Sequence, residues 1–90
     1  MRERMTQERA EMIAINGLAY FAGSTGQLDK FLSLTGIDAA ALRQEAGNPN
    51  VLRAILDFLL MDDELVGEFC REQELEARDI HLALHTLANS

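Results

Sequence analysis

Apolar residues recur at three- and four-residue intervals along most of the chain, and each break in that rhythm carries turn or capping chemistry. The first periodic stretch predicts a helix over 5–22. Its second half is apolar on every side (Met12, Ile13, Ile15, Leu18, Ala19, Tyr20, Phe21), which marks a central helix or a contact surface. Gly23-Ser24-Thr25-Gly26 ends it, and Ser24 with Gln27 has the spacing of a capping box. A second helix over 25–34 places Leu28, Phe31 and Leu32 on one face and stops at Gly36, a residue suited to the left-handed cap. Ile37 turns inward. Asp38 then caps a third helix over 39–46, closed by Gly47.

Asn48-Pro49 reads as an N-cap followed by proline in the first helical position. The fourth helix, 49–61, has the most buried pattern: Val51, Leu52, Ile55, Leu56, Phe58, Leu59 and Leu60 leave only Asn50, Arg53, Asp57 and Met61 for solvent. Asp62-Asp63-Glu64 puts negative charge where a fifth helix would have its positive end. That helix runs to residue 73 with Leu65, Val66, Phe69 and Cys70 inward. A sixth, 76–88, is expected to bury Ala77, Ile80, Leu84, Leu87 and Ala88. No segment alternates with period two. The predicted fold is all-α, a compact bundle of about six helices in one domain spanning 1–90.

Shifting the chain by 38 residues aligns it with itself. Leu18 falls on Leu56, Tyr20 on Phe58, Phe21 on Leu59, Phe31 on Phe69, Leu32 on Cys70 and Leu42 on Ile80, while Ser24 meets Asp62 and Asp38 meets Glu76. Few of these are identities, and helical chains often match themselves at apolar positions. Taken as a repeat, the pattern describes two long-short-short helix triplets, about 12–46 and 50–84, neither able to close its own core. The first and fourth helices would then be central, with the smaller pairs outside.

Composition narrows the function. Ninety residues with 48% AVILMFWYC support one small core. A single cysteine cannot form an internal disulfide and fits a reducing compartment. The apolar run 12–22 resembles the core of a secretion signal, but Glu3, Glu8 and Glu11 cancel the arginines before it and Asn16-Gly17 interrupts it. No stretch reaches the ~20 apolar residues of a membrane span. The expected location is the cytoplasm, with no membrane partner. The net charge of −7 is concentrated in the second half, where eight acids between Asp62 and Asp79 face only Arg71 and Arg78. That balance opposes binding to nucleic acid and favours a basic protein surface.

Two runs, Phe31-Leu-Ser-Leu-Thr-Gly-Ile-Asp38 with Leu42-Arg43, and Val51-Leu-Arg-Ala-Ile-Leu-Asp-Phe-Leu-Leu60 with Asp63-Glu64-Leu65, resemble a family of short bacterial proteins known as a domain of unknown function and found mainly in alphaproteobacteria. The resemblance covers roughly residues 10–80. It implies a compact helical cytoplasmic protein, and supplies no activity, cofactor or catalytic residue. It departs most in the last helix, which the family begins with an acid and a proline where this chain has Glu76-Ala77.

The chemistry-bearing candidates each have a structural alternative. His81 and His85 are four apart, so their rings share one side of the last helix; zinc needs two further ligands, or one and a water, and Leu82-Ala83-Leu84 lacks the glutamate of the metalloprotease motif. The structural reading is a boundary pair, with His81 beside the core stripe and His85 nearer solvent. Cys70 lies on an apolar face flanked by Glu68 and Glu72, and acids raise a thiol pKa, so a packed core thiol is expected rather than a nucleophile. Glu64, Glu68 and Glu72 form an i,i+4 ladder of like charge. The ladder lacks the alternating acids and turn glycine of a calcium loop, and reads as a solvated face or a basic partner's counter-surface.

Residues 31–45 have the outline of a helix-turn-helix, with Arg43 as the single cation of the would-be reading helix. Leu82 points away from Ile80 and Leu84. It either meets the first helix or, with Arg78 and His85, marks an outer interface. With no nucleophile–base pair, phosphate loop or complete metal set, the expectation is a non-catalytic helical protein acting through protein–protein contacts. It needs no cofactor and associates as a homodimer, with an acidic face for a basic partner. A nucleic-acid-binding regulator of helix-turn-helix type is the alternative, and a weak metal binder through His81 and His85 is another.

Overall fold

A computed structural model describes residues 5–23 and 26–89. Six helices follow one another: α1 (Gln7–Gly23), α2 (Gln27–Thr35), α3 (Ala39–Gln44), α4 (Pro49–Leu60), α5 (Asp63–Gln73) and α6 (Ala77–Ala88). No strand occurs among the described residues.

Local side chains set most helix starts. Asp38 accepts from the Ala41 N–H at 2.7 Å, and Asn48 accepts from the Asn50 N–H at 2.9 Å with Pro49 in the first turn. The Asp62 carboxylate takes the N–H groups of Glu64 and Leu65 at 2.9 and 3.4 Å. Each bond satisfies a donor that a helix start leaves without an intrahelical acceptor. At α6 the bond runs backward, with the Glu76 N–H donating to the Asp79 carboxylate at 2.9 Å. The capping box expected from Ser24 falls outside the described residues. α2 starts behind Gly26, whose φ of 81° only glycine adopts without strain, and has no side-chain cap. α3 is shorter than its pattern: it ends at Gln44, and Glu45–Gly47 turn toward Asn48.

The centre is made by α1, α4 and α6, which share the three largest interfaces. The sequence placed α1 and α4 there and α6 outside. α6 joins them because it buries a continuous stripe, Ile80, Ala83 and Leu87, with Leu84 half-buried. Ala77 and Ala88, expected inside, are exposed at its two ends. An alanine in water forfeits only about one methyl group of burial, roughly 0.8 kcal/mol, so periodicity holds it weakly. α2 and α5 flank the trio, and α3 lies at the rim.

Every buried side chain among the described residues is apolar or the Cys70 thiol. Phe21, Phe31 and Phe58 form a triangle with centroids 4.9, 5.5 and 5.6 Å apart, two of its three contacts edge-to-face, the geometry that aromatic quadrupoles favour. Gly17 brings α1 close to α4: a Cβ there would stand 3.1 Å from Ile55 Cγ2 and 3.2 Å from Leu59 Cδ1.

Some boundaries keep the 38-residue offset. α2 and α5 end at Thr35 and Gln73, and α3 and α6 begin at Ala39 and Ala77. Burial departs from it, since α6 is twelve residues long and central while α3 is six and peripheral.

Candidate interaction surface

Turning α1 inward on one face leaves an apolar face outside. Ala10, Ile13, Ala14, Gly17 and Phe21 are buried, and the opposite side carries Glu8, Met12, Ile15, Ala19 and Ala22, all exposed. Met12 is 56% exposed and Ile15 42%. A helix apolar all round is ordinarily buried on every side, whereas the neighbours of α1 cover one side and leave the other in water. The sequence identified this surplus but not which residues form the outer face.

The two edges of that face differ. On one, Asn16 donates from Nδ2 to Gln73 Oε1 at 3.2 Å and Tyr20 donates its hydroxyl to Glu68 Oε1 at 2.5 Å, which fastens α5 beside α1. The pairing 16–73 and 20–68 makes the two helices antiparallel. On the other edge, α1, α2 and α3 enclose an open cleft of about 190 Å³ lined by Leu18, Ala22, Leu28, Ala39, Leu42 and Arg43. Its walls are apolar, and Arg43 is exposed at its rim.

A second apolar exposure lies between α2 and α4. Leu34 and Met61 are 57% and 71% exposed and, with Phe58, border two adjoining clefts of about 250 and 330 Å³. Sequence periodicity left Met61 for solvent but did not single out Leu34, which lies one turn past Phe31 at the end of its helix.

The residues singled out by sequence scatter. Glu64, Glu68 and Glu72 are exposed along α5, but Glu68 is engaged by Tyr20 and is thereby a structural acid. His81 and His85 are both exposed, so His81 does not border the core as expected. The ring Nε2 of His85 lies 3.1 Å from Asn89 Nδ2, whose amide also donates to the His85 carbonyl. No group of three or more His, Cys, Asp or Glu is placed to share an ion among the described residues.

Leu82 is 43% exposed and stands apart from the buried stripe of α6, with Arg78 also exposed. Cys70 is buried, and its thiol pKa is pushed above the ordinary value, first by burial and then by the Asp79 carboxylate. The expected direction holds, but the acid responsible comes from α6 rather than from Glu68 or Glu72. The helix-turn-helix outline survives as α2, Gly36 and α3, but its second helix has six residues and Leu42 is buried within it. No helix among the described residues is long and apolar enough to cross a membrane.

A family model described as a protein of unknown function (DUF3572) matches residues 7–90. The match extends through α6, beyond the stretch that carries the sequence resemblance. No curated protein and no solved structure matches the chain.

Proposed function

For a chain that belongs to DUF3572, a family of proteins of unknown function, we propose a non-catalytic role: a small helical module that acts through protein–protein contacts, foremost with a second copy of itself. The observation that carries the reading is the outer face of α1, where Met12 and Ile15 stand in water beside Ala19 and Ala22. Side chains of that size each gain about 1.5–3 kcal/mol on full burial, and a half-exposed pair retains about half of that for a partner. An apolar strip without charge between residues 12 and 22 is a poor surface for solvent and a suitable one for another helix.

The acidic side of α5 supports a contact of another kind. Asp63, Glu64 and Glu72 are exposed and lie on the half of the chain that holds most of the negative charge. They favour a basic counter-surface and oppose a phosphate backbone.

Light scattering coupled to size exclusion, over a range of concentrations, tests the reading. The wild-type chain is expected to shift from monomer toward dimer as concentration rises. Ile15→Glu is expected to stay monomeric with an unchanged helical melting curve, because residue 15 is outside the core. A wild-type chain that is monomeric throughout would overturn the proposal.

A further inference from the structure

We infer that the second copy docks antiparallel, with α1 lying on its own image and Met12 of each chain entering the cleft beside Ala22 of the other. This rests on the self-association proposed above and supplies its geometry.

Glu8, Met12, Ile15, Ala19 and Ala22 succeed one another at spacings of four, three, four and three, the period of a helix–helix seam, and all five are exposed. The large residues of the seam stand in its first half and the small ones in its second. A twofold axis at the level of Gly17 pairs Met12 with Ala22 of the second copy, and Ile15 with Ala19 of the second copy. Every large side chain then meets a small one, twice over by symmetry. A parallel pairing would oppose Met12 to Met12 and Ala19 to Ala19, so helices in contact at one end would stand apart at the other. It would also place Glu8 against Glu8, a like-charge contact.

The antiparallel register gives Met12 a cavity. The cleft beside Ala22 is apolar and about 190 Å³ in volume, and an unbranched thioether adapts to such an irregular space. Glu8, one turn before Met12 on the same face, is carried past Ala22 toward Arg43 at the rim. Both side chains are exposed, and neither has a hydrogen bond or ion pair within the described residues. The pairing thus joins opposite charges at both ends of the seam and an apolar contact between them.

Two experiments on the full chain test the register. Arg43→Glu is expected to raise the dimer dissociation constant about tenfold, since two equivalent pairs are lost and replaced by repulsion. Glu8→Arg combined with Arg43→Glu should bring it back to within about twofold of wild type. An Arg43→Glu chain that dimerises as well as wild type, or a double variant that fails to recover, overturns the register. In a Cys70→Ala background, Ile15→Cys and Ala19→Cys chains mixed under mild oxidation should form the mixed disulfide in excess over either self-linked product. Predominant self-linking of either variant overturns the antiparallel geometry and leaves self-association standing. A wild-type chain that is monomeric by light scattering removes the reading beneath it.

Discussion

Gly36 and Glu74, 38 positions apart, play the same part in the backbone. Each closes a helix in the left-handed region, at φ 76° and 57°, and each donates its N–H to the carbonyl four residues earlier, that of Leu32 and of Cys70. Gly36 adopts this conformation freely. Glu74, the one non-glycine at positive φ among the described residues, holds it against its own Cβ. Glu74→Gly is therefore expected to stabilise the protein by about 0.5 kcal/mol, the relief of strain being partly offset by glycine's larger unfolded-state entropy. Gly36→Ala should cost about 1 kcal/mol. Urea midpoints of the two variants, read at constant slope, check both signs.

Gly17 and Gly67, each in a helix interior, should respond oppositely to alanine. Nothing stands within 4 Å of a Cβ built on Gly67, so Gly67→Ala gains helix propensity of about 0.8–1 kcal/mol. At Gly17 the same gain is opposed by Ile55 and Leu59, both fully buried and with little room to give. Overpacking of this kind costs about 1–3 kcal/mol, so Gly17→Ala should be destabilising by about 1 kcal/mol. Thermal melts of the two variants side by side decide it; a Gly17→Ala chain as stable as Gly67→Ala would show that α1 and α4 are not held this close.

Tyr20 and Glu68 join α1 to α5 at the edge of a ring contact between Tyr20 and Phe69. Tyr20→Phe keeps the ring against Phe69, at a centroid distance of 5.7 Å, and removes only the hydroxyl. A double-mutant cycle with Glu68→Ala should return a coupling of about 0.5–1 kcal/mol. Amide exchange in α5 should quicken in both single variants, and a coupling near zero would count against the bond.

Cys70 gives the protein an alkaline liability. Burial and Asp79 raise its thiol pKa in the folded chain, so above the unfolded value of about 8.5 the native state binds more protons than the unfolded one, and stability falls as pH rises. The contribution is intact below that pH. Cys70→Ala should flatten the decline in stability above about pH 8.5. The native thiol should also react with iodoacetamide more slowly than a small free thiol at pH 8, and denaturant should remove the difference.

Neither half of the chain should fold alone. α4 and α6 bury their apolar stripes against α1 as well as against each other, so a fragment of residues 47–90 exposes core on every helix. Circular dichroism of that fragment should show weak, non-cooperative helicity, whereas a sigmoidal melt would identify it as a domain in its own right.

What the chain alone determined is local. Asp38, Asn48-Pro49, Asp62 and Gly36 mark helix ends because caps act within three or four residues, so their chemistry is written beside the boundary they set. The periodicity of α4 and α5 names their buried residues for the same reason, missing only at Leu60, expected inside, and Arg53, expected in solvent, which are both half-buried: a helix fixes which side chains share a face before it touches anything. Glu74 escaped notice because its conformation follows from where α6 must begin, not from its own preference.

What only tertiary structure decided is which faces meet. Asn16 and Gly17 interrupt an apolar run in sequence, yet one bonds Gln73 across 57 positions and the other admits Ile55 and Leu59. α6 enters the centre instead of α2 or α5 because three helices close a core only where their stripes match in length and volume, and no window of sequence contains that sum. The same closure leaves Met12 and Ile15 outside. Hydrophobic burial is non-directional, so the sequence shows that α1 has more apolar surface than it needs, and the packing of its neighbours settles which side is left over.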